Sequence, residues 1–147
     1  MKCDCDHSTH ACHMASYTLR LALGSFLLMN GLNKFIVGTG LFVDNMSGMF
    51  AETWLPVGLV TAFLTLIPVV EVMTGAMMLI GIYTHFAAYA ASFFFGMLIF
   101  GHVVAGDTSV VAGMLIYIFA ALLLGHMPHT YLSLDYHLHP PKKGKKK

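Results

Sequence analysis

The chain has 147 residues, of which 57% are hydrophobic and only 10% are charged, and its mean hydropathy is +0.73. Because a soluble domain carries roughly 25% charged residues, this composition excludes an ordinary soluble domain and favours a single membrane domain. The net charge is only +1, and most of the lysines lie in the last six residues, so no nucleic-acid partner is expected.

The first 15 residues, MKCDCDHSTHACHMA, form a polar segment that is rich in cysteine and histidine. They contain no apolar run of the kind found in a secretory signal peptide. Thiolate and imidazole groups at this density are suitable ligands for copper or zinc, although their spacing is not that of a structural zinc site. A tail without a specific metal is the alternative. The candidate ligands are Cys3, Cys5, His7, His10, Cys12 and His13.

Four apolar runs predict an all-α fold, an integral membrane four-helix bundle. They cover residues 16–37, 57–83, 86–104 and 110–125. The connector between the first two runs is expected to be partly helical and to lie in the membrane interface, with Trp54 as an anchor. This predicts a Cys/His-rich tail (1–15), a four-transmembrane-helix domain (16–126) and a Pro/His/Lys-rich tail (127–147).

Four spans would place both termini on the same side of the membrane. Lys2, Arg20 and the C-terminal lysines then share that side, which the positive-inside rule identifies as cytoplasmic. The predicted location is therefore a prokaryotic inner (cytoplasmic) membrane, with both termini in the cytoplasm and the lipid bilayer in contact with the helices.

The second apolar run, IPVVEVMTGAMMLIG, carries a carboxylate near its middle, Glu71. An ionisable group at that depth is costly and should have a partner. At about 1.5 Å per residue, Glu71 lies roughly 18 Å from the cytoplasmic end of its helix and Lys34 roughly 27 Å from the end of its own. The lysine stem can bridge the difference. Asn30 and His102 lie at intermediate depths, whereas Arg20 would reach Glu71 only if the helices tilt. These five residues form the predicted intramembrane polar network, and its role, structural or functional, is open.

Two runs, RLALGSFLLMNGLNKF and VVEVMTGAMMLIGIYTHFAAYA, resemble the DoxX/DoxD-like four-helix membrane proteins over roughly residues 17–125. That family has an arginine, spaced glycines and a lysine on its first helix, followed by an E-x-x-x-G-x-x-L-x-x-G motif. The corresponding positions are Arg20, Gly24, Gly31, Lys34, Glu71, Gly75, Leu79 (displaced by one), Gly81, Thr84 and the following His85. The resemblance implies an accessory subunit of a redox membrane complex, similar to a membrane subunit of thiosulfate:quinone oxidoreductase or to proteins that accompany oxidative-stress enzymes. Quinone is then the implied cofactor, and other membrane subunits are the implied partners.

Two alternatives to a redox-complex subunit remain open. One is a membrane protein that binds or transports copper or zinc through the N-terminal cluster. The other is a structural protein that self-associates through small residues, namely Gly96, Gly101, Ala87 and Ala91.

The sequence contains no nucleotide-binding glycine loop, no C-x-x-C and no zinc-protease helix, so whether the protein is an enzyme is open. His102 and His126 are the candidate haem ligands. Lone histidines in apolar helices are more often hydrogen-bonded than metal-bound, so haem is not expected.

Overall fold

The structure is a computed structural model that describes residues 8–127, with side chains from residue 12 onward. Its elements are α1 (Ser8–Val37), α2 (Thr39–Ser47), a short 3₁₀ helix (Gly48–Phe50), α3 (Val57–Ile80), α4 (Thr84–Val104) and α5 (Val111–His126). Within those residues all regular structure is helical, which confirms the all-α prediction.

The first helix begins earlier than predicted. It starts at Ser8 rather than at residue 16, because no glycine or proline interrupts the chain before Gly24. Part of the Cys/His-rich segment is therefore helical. The proposed domain divisions after residues 15 and 126 stay a prediction.

Helices α1 and α3 pack with their backbones in close contact, because glycines occupy the contact positions. A β-carbon added to Gly75 would lie 2.5 Å from the backbone nitrogen of Leu28, and one added to Gly31 would lie 2.9 Å from the carbonyl oxygen of Pro68. Gly24 faces α3 in the same way, since a β-carbon added to it would lie 3.2 Å from the carbonyl oxygen of Gly75. The glycines predicted to let another helix approach do so within this chain.

Helices α4 and α5 complete the bundle on the other side of α1 and α3. The core that joins the four long helices contains Leu23, Leu27, Met78, Ala87, Ala88, Ala91, Phe95, Ala121 and Leu124. Ala87 and Ala91 are fully buried in it, at 0% exposure. The prediction that these two alanines serve self-association is therefore wrong, because their small side chains are already used for packing inside the bundle.

The connector between α1 and α3 folds back over one end of the bundle. Gly38, with φ of 105°, lies between α1 and α2, and the two helices are bent by 96° relative to each other. Val43 of α2 enters a second core cluster with Val60, Leu64, Ile67 and Phe94. The predicted partly helical connector is confirmed, and the bend lays α2 across the bundle end.

At the opposite end, α3 stops three residues before the predicted boundary at residue 83. Gly81 adopts a left-handed conformation with φ of 79°, and its N–H bonds to the carbonyl of Met77, which terminates the helix. Tyr83 is also left-handed, with φ of 48°, and α4 begins directly after it. Pro68 lies inside α3 without interrupting it.

The helices have the length and surface of membrane spans. Of the described helices, α3 and α4 are each long and apolar enough to cross a membrane, and the bent pair Cys12–Val37 and Thr39–Phe50 is a third candidate. Helix α5 is apolar but has only 16 residues, about 24 Å, which is short against a hydrocarbon core of about 30 Å. Large apolar side chains cover the outside of the bundle, among them Ile36, Phe86, Phe93, Ile116 and Phe119.

Candidate functional site

Lys34 of α1 and Glu71 of α3 form an ion pair between the two helices. The Nζ atom of Lys34 lies 2.6 Å from Oε1 and 2.6 Å from Oε2 of Glu71, so the ammonium donates to both carboxylate oxygens. Close packing of the two helix backbones explains why Lys34 and Glu71 are within contact distance. Gly31, one turn before Lys34, packs against the backbone of α3 at Pro68 and Val72, on either side of Glu71. No bulkier residue at position 31 would let the two helices come this close.

The two members of the pair differ in their access to solvent or lipid. The side chain of Glu71 is 5% exposed and that of Lys34 is 22% exposed. Phe42 of α2 covers the lysine, with Nζ 5.1 Å from the ring centroid, which adds a cation–π contact. The pair is therefore enclosed by α1, α3 and the connector helix, and the loss of either charge would leave the other with little water.

A cavity of about 280 Å³ opens beside the ion pair, beneath α2. We call it the ion-pair cavity. Four of its lining residues are the predicted network members Asn30, Lys34, Glu71 and His102. The other walls are apolar or aromatic and include Phe26, Phe42, Phe50, Phe63, Leu64, Ile67, Phe95, Leu98, Phe100 and Tyr117. A few polar groups in an otherwise apolar chamber are the usual design of a small-molecule site.

His102 occupies the last turn of α4 and contacts the turn that follows it. Its Nδ1 lies 3.4 Å from Oδ2 of Asp107, and the imidazole is largely buried. The other carboxylate oxygen of Asp107 accepts hydrogen bonds from the hydroxyl of Ser109 at 2.6 Å and from its backbone N–H at 3.1 Å. This arrangement was not evident from the sequence, because it depends on how the turn folds.

Arg20, the fifth predicted network member, lies apart from the others. It is buried, at 2% exposure, and its guanidinium is 5.5 Å from the ring centroid of Tyr17. Arg20 is not among the residues that line the ion-pair cavity. Arg20 does not reach Glu71, because it lies near the middle of α1, about 21 Å before Lys34 along the helix.

The N-terminal metal prediction falls largely outside the described residues. Cys3, Cys5 and His7 lie outside them, as does the side chain of His10, whereas Cys12 and His13 are half-buried on α1. Among the side chains from residue 12 to residue 127, no three His, Cys, Asp or Glu groups lie close enough together to hold a metal ion. Metal binding by this segment stays a prediction.

The two candidate haem ligands lie at opposite ends of the bundle. His102 is at the end of α4, near the turn into α5, whereas His126 ends α5. Nδ1 of His126 lies 2.8 Å from the carbonyl oxygen of Leu122 in its own helix. Because α5 is about 24 Å long, these two histidines cannot ligate one haem.

A hydrogen-bonded contact that sequence reasoning missed joins α4 to the end of α5. The carbonyl oxygen of Gly125 lies 2.8 Å from Nδ1 of His85 and accepts a hydrogen bond from the hydroxyl of Tyr89 at 3.2 Å. Gly125 suits this position, because an added β-carbon would lie 3.0 Å from the Tyr89 ring and would displace it. The contact satisfies a carbonyl at the C-terminus of α5 and has no opening to the cavity.

Helical spans with a lipid-facing apolar surface and a buried ion pair define an integral membrane protein of the all-α class. Residues 15–105, which extend from α1 through α4, match the model of the DoxX family. The chain belongs to the DoxX family, as the motif resemblance predicted. No curated protein and no solved structure matches it.

Proposed function

We propose that this DoxX-family protein is an accessory component of a redox membrane complex and binds a quinone-type molecule in the ion-pair cavity. The observation that carries this proposal is the position of the Lys34–Glu71 pair, in the wall of a chamber that is otherwise largely apolar and aromatic. A quinone has the matching form, a flat ring with oxygen atoms and a lipid-soluble tail.

The dimensions and donors of the cavity are consistent with such a molecule. Its volume of about 280 Å³ is near the lower limit of ligand sites, roughly 300 Å³, and suits one ring system whose tail extends into lipid. An ammonium has three N–H donors, and Glu71 accepts two of those of Lys34, which leaves one for a ligand oxygen. A bound quinone would supply electron-accepting chemistry that these side chains lack.

The proposed setting is a prokaryotic inner membrane with both termini in the cytoplasm. The placement of Lys2, Arg20 and the C-terminal lysines supports this orientation, and it puts the ion-pair cavity in the outer half of the bilayer. An impermeant thiol reagent applied to intact cells should then leave Cys3, Cys5 and Cys12 unlabelled. Efficient labelling that requires no permeabilisation would reverse the orientation.

Quinone binding is tested by extracting the purified protein with organic solvent and measuring quinone per chain. We expect the wild-type protein to retain quinone, and Lys34→Met to lose most of it. Glu52→Gln provides a matched control, since Glu52 is exposed and lies outside the cavity. If wild-type and Lys34→Met proteins carry the same trace amount as lipid-matched blanks, the cavity does not bind quinone.

The partners of the proposed complex are other membrane subunits or further copies of this chain. For self-association, Gly96 and Gly101 remain candidates, and Gly96 has no atom within 4 Å of an added β-carbon. Mass measurement in detergent, together with identification of co-purifying chains, distinguishes the two kinds of partner.

A second proposal concerns the N-terminal segment, which is outside the ion-pair cavity. We propose that its cysteine thiolates and histidines bind Cu⁺ or Zn²⁺, on the strength of their composition alone. This proposal is independent of the first, because it needs no residue of the cavity.

A further inference from the structure

The turn after α4 holds the imidazole of His102 in one orientation at the edge of the ion-pair cavity. The backbone N–H of Asp107 donates to the carbonyl oxygen of His102 at 3.0 Å, which closes the turn. Ser109 binds Oδ1 of Asp107, and Oδ2 faces Nδ1 of His102 at 3.4 Å. One carboxylate oxygen of Asp107 thus binds within the turn, and the other lies beside the imidazole.

The carboxylate lies beside Nδ1 of His102 without forming a hydrogen bond, so its effect is electrostatic and biases which ring nitrogen carries the proton. The hydrogen bonds from the hydroxyl and then from the backbone N–H of Ser109 lower the pKa of Asp107 below 3.8, so Asp107 is an anion at neutral pH. A carboxylate beside Nδ1 favours the tautomer with hydrogen on Nδ1. In that tautomer Nε2 has a free lone pair and is a hydrogen-bond acceptor.

Two polar groups of the cavity, Lys34 and His102, therefore differ in whether they donate or accept hydrogen bonds. Lys34 on α1 can only donate hydrogen bonds, whereas Nε2 of His102 on α4 can only accept them while the imidazole is neutral. The side chain of His102 is 13% exposed, so the imidazole as a whole has limited access to water. A ligand that left this acceptor unsatisfied would lose a hydrogen bond that water cannot replace.

We propose that the ion-pair cavity selects the reduced, hydroxyl-bearing form of its ligand, a hydroquinone, over the quinone. One hydroxyl of a hydroquinone donates to Nε2 of His102, while the oxygen of the other accepts from Lys34. A quinone has two carbonyl oxygens and no donor, so one of its oxygens would face the lone pair of Nε2. This inference rests on the proposed function and adds to it the redox state that the site prefers.

The test compares 1,4-dihydroxynaphthalene with 1,4-naphthoquinone, which have the same ring system. Both are bound anaerobically to the full-length protein in detergent, and each Kd is measured by equilibrium dialysis. We expect the wild-type protein to bind the dihydroxy compound roughly threefold to tenfold more tightly, the value of about one net hydrogen bond. 1,4-Dimethoxynaphthalene, which has no donor, should show no such advantage.

Two variants assign the preference to the proposed groups. His102→Leu should bring the ratio of the two Kd values close to one, because it removes both the acceptor for the dihydroxy compound and the lone pair that faces a naphthoquinone oxygen. Asp107→Asn should also lower the ratio, because the amide can donate to Nδ1 and so move the proton to Nε2. Met114→Leu is the matched control, since Met114 lines the same cavity without a hydrogen-bonding role and its substitution nearly conserves volume.

Each outcome has a distinct meaning. Equal affinity of the wild-type protein for both compounds, or a ratio that survives both substitutions, overturns the redox-state preference and leaves quinone binding intact. Failure of the wild-type protein to bind either compound overturns the proposed function and this inference with it. If His102→Leu melts before it can be measured, Asp107→Asn decides the question, because Asp107 lies in a partly exposed turn outside the core.

Discussion

Lys34→Met and Glu71→Gln, alone and together, test whether the ion pair holds α1 against α3. Removal of one partner of a buried pair typically costs about 3–5 kcal/mol, whereas replacement of both is often nearly neutral. Lys34 is 22% exposed and Glu71 is 5% exposed, so the enclosure is incomplete and the lower end of that range applies. At roughly 2–4 °C per kcal/mol, a loss of about 3 kcal/mol lowers the Tm by about 6–12 °C.

The two single substitutions should not be equal. Lys34→Met leaves the carboxylate of Glu71 in a nearly closed site, whereas Glu71→Gln leaves an ammonium that can extend toward its exposed side. We therefore expect Lys34→Met to lower the Tm more, and the double variant to recover most of the loss. The assay is a thermal melt in one detergent at one pH. If the decrease in Tm of the double variant equals the sum of the two single decreases, Lys34 and Glu71 do not stabilise each other. If neither single variant has a lower Tm, Glu71 is solvated.

Three further predictions concern other parts of the chain. Gly75→Ala should lower the Tm by several degrees, because the new β-carbon would lie 2.5 Å from the backbone of Leu28, whereas Gly96→Ala, with no atom within 4 Å, should leave it nearly unchanged. Equal Tm values for the two variants would contradict the close packing. Removal of residues 2–13 should lower the copper or zinc content of the purified protein at equal expression, and unchanged metal would dismiss the N-terminal site. Because the folded pKa of Asp107 is below 3.8, its stabilisation is present above that pH and is lost as the pH falls through the folded value. As the pH falls below about 4, the wild-type Tm should therefore decrease more than that of Asp107→Asn, and an equal decrease in both proteins would show that Asp107 makes no such contribution.

The sequence was sufficient to predict that Glu71 and Lys34 pair within the bundle, although it did not predict that Arg20 is buried as well. Glu71 stands in an apolar run, and the depth of Lys34 on another helix made it a partner within reach of its stem. Gly24 and Gly31 indicated the face of α1 that another helix approaches. These inferences succeed because helical rise and the cost of a charge in lipid are local and general.

The sequence was not sufficient to predict what the connector does. Phe42, Met46 and Phe50 were predicted to belong to an apolar interfacial segment, but their position in the wall of the ion-pair cavity depends on the 96° bend at Gly38. The contact between His102 and Asp107 depends in the same way on the conformation of one turn. Both contacts depend on how the chain turns between helices, and the periodic pattern of apolar residues in the sequence does not specify those turns.

The spacing of small residues was the least reliable indicator of which helices contact each other. Ala87 and Ala91 have the spacing of a self-association motif, yet both are buried between helices of the same chain. Gly75 has the same small size and also packs internally. A small-x₃-small pair predicts close helix contact, but it does not say whether the second helix belongs to the same chain.

Photoaffinity labelling tests most directly the central claim that the ion-pair cavity binds a quinone-type molecule. A photoreactive naphthoquinone would be irradiated with the purified protein, and the modified peptides mapped by mass spectrometry with and without excess unlabelled naphthoquinone. The account predicts competed adducts on the connector near Phe42 and on α4 near Leu98, both of which line the cavity. Adducts confined to lipid-facing residues such as Phe86 and Phe119, and insensitive to the competitor, would contradict it.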